Sequence, residues 1–255
     1  MYRLLCVLVI LIGCTNTQPN PIAKYNIYNN STVTVELTKD SVTIPIIYHY
    51  LYDTLTSDSY LQLANAVKNV HKNLNLAFKK TIKFEWDIVL LYHPIDTIKL
   101  PHLYTSLIGI KSEFDYLNYI INTYSFKRYF NVYIIKTDMK PGEILLGFTP
   151  VSANDDFTIY SSKMPGYDNA FVSYETIIDN EFLTENTLIH ETGHWLGLEH
   201  PWEMNDSAKI AMGLQNKMKY CINYMNYNCY TSEFTNQQLN YMNKFAKNFR
   251  NYLVK

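Results

Sequence analysis

The residues His190-Glu191-Thr192-Gly193-His194-Trp195-Leu196-Gly197-Leu198-Glu199-His200 place three histidines, a glutamate and a glycine in the order H-E-x-x-H-x-x-G-x-x-H. On a helix, residues four apart share a face, so His190 and His194 point two imidazole nitrogens at one ion. Glu191 sits one step further round. It is too far round to be a ligand on that face, but within reach of a water bound to the ion. Gly197 can take the positive-φ conformation that ends a helix, and such a turn would let His200 supply a third ligand. Three protein ligands leave the fourth position of tetrahedral zinc to water, the arrangement of a catalytic site rather than a closed structural one. The expected cofactor is one catalytic Zn2+. It lowers the pKa of its water towards about 7. Glu191 takes the proton as that water attacks a carbonyl carbon, then passes it to the leaving nitrogen. A surface helix carrying histidines by chance is the alternative. The glycine and third histidine in register weigh against it.

These side chains need a rigid support. Leu188, Ile189, Trp195 and Leu198 are apolar residues that anchor the helix in a core, and Thr184 is the candidate N-cap of a helix running to about Gly197. Upstream, Ile44 to Tyr52 is β-branched and aromatic and reads as a buried strand. Leu61, Ala64, Val67, His71, Leu74 and Phe78 recur at helical spacing, predicting a helix over 58–79. Ile82 to Leu91, Asn131 to Lys136, Ile144 to Thr149 and Ala170 to Tyr174 read as strands, and Phe114 to Tyr124 as a helix. Gln237 to Leu253 reads as a C-terminal helix with Leu239, Met242, Phe245, Phe249 and Leu253 on one side. His49, His71, His93 and His102 read as structural.

The zinc stretch resembles the metzincin-type zinc peptidases. The resemblance implies a tight turn carrying a methionine beneath the three histidines, and Asn223-Tyr224-Met225-Asn226-Tyr227 supplies Met225. Met225 is then a soft apolar floor, not a ligand. The same run, followed by Cys229 and by Phe234-Thr235-Asn236-Gln237-Gln238, closely resembles the pappalysin (cytophagalysin-like) family. Leu146-Gly147-Phe148-Thr149-Pro150 and Ile44-Pro45-Ile46-Ile47-Tyr48-His49 are similar to strands of that family. The resemblance implies an endopeptidase with His190, His194 and His200 as ligands and Glu191 as base. The fold it implies is α+β and zincin-like. A twisted mixed sheet with a backing helix and the active-site helix lies above an irregular lower lobe, which holds the Met-turn and a C-terminal helix. Substrate would pair with an edge strand, either Ile144 to Thr149 or the segment Phe157 to Ser161. Tyr227 matches a position where related enzymes hold a tyrosine near the metal, and would bond the oxyanion. With 23 tyrosines in the chain, an ordinary core or surface role stands beside that reading. Residues 201–220 lack the cysteine that family members commonly carry, and Asn226 stands where they usually have Asp. Calcium therefore has no support in the sequence.

The chain has 255 residues, 47% of them hydrophobic, and a net charge of −1. Its length suits one catalytic domain over 41–255, and its charge offers no basic face for nucleic acid. A monomer acting on a protein or peptide substrate is expected. Arg3 followed by the apolar run Leu4 to Ile12 reads as a signal peptide within 1–20, and 21–40 as a short N-terminal or pro-segment. Leu11-Ile12-Gly13-Cys14 also resembles a lipobox, so membrane contact is expected only through lipid at Cys14, against ordinary secretion. Either route puts the domain outside the cytoplasm. There Cys221 and Cys229 form a disulfide bracing the Met-turn, or stay as two buried thiols. Asn29, Asn30 and Asn205 head glycosylation sequons. Two other functions fit the motif: a binding protein that keeps the zinc fold without catalysis, and a zinc amidase acting on non-protein amides. Intact Glu191 argues against the first.

Overall fold

The computed structural model describes residues 36–52, 57–94, 120–135, 147–149, 168–178, 186–215, 222–226 and 233–255. The stretch 1–20 with Cys14, the sequons at Asn29 and Asn30, His102, the candidate edge 157–161, Thr184, Cys221, Cys229 and Tyr227 lie outside these residues. The described part of the N-terminal segment, 36–40, forms no strand. It lies on the C-terminal helix, where Asn240 Nδ2 donates to the Glu36 carbonyl at 2.7 Å and Asn240 Oδ1 accepts from the Thr38 amide at 2.8 Å.

Among the described residues five strands form one sheet: β1 Val42–Tyr52, β2 Ile82–Pro94, β3 Phe130–Ile135, β4 Gly147–Phe148 and β5 Asn169–Ser173. Their spatial order is β2-β1-β3-β5-β4. All neighbours run parallel except β4, which pairs antiparallel with β5 through Gly147 opposite Val172 and Phe148 opposite Phe171. The sheet is thus mixed, with its antiparallel strand at one edge. Parallel strands need long crossovers, and helix α1, Ser57–Ala77, is the one between β1 and β2.

The alternation of side chains along a strand divides the core. Val42, Ile44, Ile46, Tyr48 and Tyr50 enter the main cluster with Leu63, Val67 and Leu74 of α1. Leu51, Tyr133, Ile135 and Phe171 face the other side and pack with Ile120 and Ile121. Burial on both faces is what lets β1 and β3 read as nearly continuous apolar runs. The helical face read for α1 needs one correction. Leu61 is 61% exposed, and Leu63, Val67, Val70 and Leu74 carry the inward stripe.

Among the described residues the later helices include α2 Tyr174–Ile178 and α3 Thr187–Trp195, both against β5, then α4 Asp206–Ala211 and α5 Asn236–Phe249. The short α2 and α4 were not predicted, because so few residues carry no 3.6-residue rhythm. The Asn205 side chain caps α4 by accepting from the Ala208 amide at 2.8 Å. Helix α5 opens on a capping box in which the Thr235 hydroxyl accepts from the Gln238 amide and Gln238 Oε1 accepts from the Thr235 amide. It stops at Phe249, short of the expected end, and Leu253 is buried from the turn that follows.

His49, His71 and His93 lie away from the zinc stretch, as expected of structural residues. His49 Nε2 donates to Asn131 Oδ1 at 3.0 Å and its Nδ1 faces His93 Nε2 at 3.0 Å. His71 lies between Tyr48 and Asn75. Burial pushes both His49 and His71 down to about 4.

Candidate metal centre

The support for the site is a stack. Trp195, at the end of α3, lies against Phe130 of β3 with ring centroids 4.0 Å apart and planes 19° from parallel. The guanidinium of buried Arg250 covers the indole at 5.2 Å and pairs with Asp168 at 3.4 Å. Helix α3 is therefore clamped between the sheet and the chain's C-terminal turn. Its first helical residue is Thr187, and the flanking Asn186 makes no side-chain cap bond.

Gly197 ends the helix at φ +86°. The Gly197 amide donates to the His194 carbonyl and the Leu198 amide to the Gly193 carbonyl, each at 2.9 Å. A side chain at Gly197 would be excluded twice, by the left-handed backbone and by Phe245, whose ring carbons lie 2.7 and 2.8 Å from where a Cβ would stand.

This turn brings His200 back to His190 and His194. The three Nε2 atoms lie 3.1, 3.1 and 3.3 Å from one another. The other nitrogen of each ring is engaged. Nδ1 of His190 donates to the Tyr224 carbonyl at 2.7 Å and Nδ1 of His194 to the Leu198 carbonyl at 2.8 Å. Nδ1 of His200 donates to the Glu203 carboxylate at 3.0 Å. Because carbonyl oxygens only accept, the protons sit on Nδ1 and the Nε2 lone pairs point at one another. Three lone pairs so close repel unless a cation lies among them. Nitrogens bound to zinc at about 2.05 Å and the tetrahedral angle are about 3.3 Å apart. The residues fit that ion, and the three histidines could hold it. Burial, with His200 adding, drives His190 down to about 3, and burial with both neighbouring rings holds His194 well below its ordinary value. Both rings therefore stay neutral, as metal binding requires.

Glu191 is 6% exposed, and burial pushes its carboxyl up to about 8, while a hydrogen bond from Thr149 acts in the opposite sense. The positive charge of a cation among the histidines would add to the lowering. Thr149 was not singled out from sequence; its hydroxyl lies 2.9 Å from Glu191 Oε2. Glu203 was missed as well, although its spacing of three from His200 was available to find it. Trp202, 43% exposed, stacks on His200 at 4.3 Å and 10°.

Met225 is fully buried beneath the helix. Its Sδ lies only 2.5 Å from where a Cβ on Gly193 would stand. Gly193, a free position in the motif, is thus the opening that admits Met225. The turn is pinned by Asn223, whose Oδ1 accepts from the Met225 amide at 3.1 Å and from Gln238 Nε2 at 3.1 Å. Asn223 Nδ2 donates to Gln238 Oε1 at 2.7 Å. The floor of the site is therefore tied to the N-terminus of α5, and its Tyr224 carbonyl orients His190.

No protein-family model and no curated protein matches the chain. Among solved structures, a promirolysin mutant of Tannerella forsythia superposes with a TM-score of 0.55 at 13% identity, covering 91% of this chain and 90% of that one. The likeness shows the fold. A chaperone-substrate complex matches at a TM-score of 0.40 and 13% identity, over 85% of this chain and 36% of that one.

Proposed function

We propose that this chain is a zinc endopeptidase of the metzincin type, close to the pappalysins, acting outside the cytoplasm. The observation that carries the reading is the convergence of three Nε2 lone pairs whose tautomers are set by Tyr224, Leu198 and Glu203. A bound zinc ion would supply Lewis acidity and a water of lowered pKa. Glu191 accepts the proton of the water attacking a peptide carbonyl and returns it to the leaving nitrogen. The substrate lies extended along the outer edge of β4, which no other strand occupies among the described residues. Tyr227 bonds the developing oxyanion, and Cys221 and Cys229 close a disulfide around the Met-turn. Export follows from the N-terminal apolar run, by secretion or by lipidation at Cys14. The fold shared with promirolysin supports this reading without supplying it.

The test is cleavage of a peptide library by the full chain carrying one zinc, mapped by mass spectrometry with and without chelator. Cleavage that disappears with chelator, returns with zinc and drops about 10²–10⁴-fold in Glu191→Ala supports the proposal. An uncut library, with Glu191→Ala indistinguishable from the native chain, overturns it in favour of a binding protein. Hydrolysis confined to non-peptide amides overturns it in favour of an amidase.

A further inference from the structure

Thr149 follows β4 directly, and its hydroxyl touches one residue twice. Oγ1 lies 2.9 Å from Oε2 of Glu191 and 2.9 Å from the carbonyl oxygen of Glu191. This approach depends on Gly147. A Cβ there would stand 2.8 Å from the Phe171 carbonyl oxygen, 2.8 Å from Thr187 Cγ2 and 3.2 Å from Glu191 Cγ. The edge strand and the active-site helix therefore meet backbone to side chain at the glutamate, with no room for an intervening group. A glutamate side chain has three rotatable bonds and loses much rotamer freedom when it is held. The hydroxyl's single proton goes to one of these two oxygens, and donation to the carboxylate restrains those bonds.

We propose that Thr149 is the positioning residue of the site: its hydroxyl holds Oε2 of Glu191 and so turns Oε1 towards the attacking water. The inference rests on the endopeptidase reading, in which Glu191 is the base. A hydroxyl has one proton to donate. Donation to Oε2 gives a charge-assisted bond and leaves Oε1 as the oxygen that carries the proton from water to leaving nitrogen. The edge strand then has two tasks. Its outer edge pairs with substrate, and the residue directly after it aims the base, so substrate backbone and proton acceptor share one rigid reference.

The experiment compares Thr149→Val, which keeps the shape and removes the hydroxyl, with Thr149→Ser, which keeps the hydroxyl. Each full chain is loaded with one zinc, and kcat and KM are measured separately on one peptide. Crystal structures of the native chain and Thr149→Val give the Glu191 side-chain torsions, a readout independent of turnover. The expected result for Thr149→Val is a kcat about 10–100-fold lower, KM within about twofold, one zinc retained and Glu191 displaced. Thr149→Ser should return to within about threefold of the native kcat. An unchanged kcat in Thr149→Val, or a serine variant as impaired as the valine one, overturns the proposal. If the native chain cuts no peptide, the endopeptidase reading fails by itself. The crystal structures still decide the contact: Glu191 unmoved in Thr149→Val refutes the hold, and Glu191 released upholds it.

Discussion

Replacing Gly193 by alanine tests the whole architecture beneath the metal site. The added methyl would stand 2.5 Å from Met225 Sδ and 3.4 Å from Met225 Cε, with Phe234 Cε1 at 3.5 Å. Carbon and sulfur normally approach no closer than about 3.5 Å, so about 1 Å must be absorbed. Met225 and Phe234 are fully buried, so the thioether cannot swing into solvent. Overpacking of this kind costs about 1–3 kcal/mol, which in a chain of this size lowers Tm by roughly 2–12 °C. The displacement also moves the turn whose Tyr224 carbonyl orients His190, and losing such a partner weakens metal affinity about 10–100-fold. Calorimetry on the zinc-free protein reads the first effect, and competition with a chromophoric chelator reads the second. Met225→Ala alone opens a cavity at a cost of about 2–5 kcal/mol. In the double variant the new methyl moves into that space, so the two costs should not add. Full additivity, or Gly193→Ala with unchanged Tm and zinc affinity, would refute the claim that this glycine exists to admit the methionine.

Two other predictions concern groups around the site and behind the sheet. Glu203→Ala removes the carboxylate that accepts from His200 Nδ1, so zinc affinity should fall about 10–100-fold while Tm without zinc changes little, because Glu203 is exposed; equal zinc affinity in a chelator titration would rule out that role. His49 and His71 are held near 4 by burial, so their imidazole NMR signals should not titrate between pH 8 and 5. The unfolded chain takes these protons first, near 6.5. Each neutral ring therefore contributes stability that is full above pH 6.5 and is lost as pH falls towards about 4. A midpoint near 6.5 for either ring in the folded protein would contradict its burial.

The metal-site reading was legible because its geometry is mostly local. Histidines four apart must share a helix face, and a glycine at the end must turn the chain. No distant residue can undo that spacing. The order of strands and helices was legible for the same reason, since each long element carries its own rhythm of apolar residues. Leu61 shows the limit: it fits a helical repeat, yet the stripe that meets β1 lies on Leu63, Val67 and Leu74. Periodicity places residues on a face without saying which face finds the sheet.

The sequence by itself determined the donor types, their helical spacing and the turn at Gly197, and the family resemblance added the methionine turn after it. Only the tertiary structure decided how each group is aimed. The Tyr224 carbonyl reaches His190 across 34 positions, and the Thr149 hydroxyl reaches Glu191 across 42. The void at Gly193 has meaning only once Met225 fills it. Hydrogen bonds act over about 3 Å, so partners far apart in the chain become partners only when the fold brings them together. The elements could be read one at a time, whereas the orientation of the site depends on pairs.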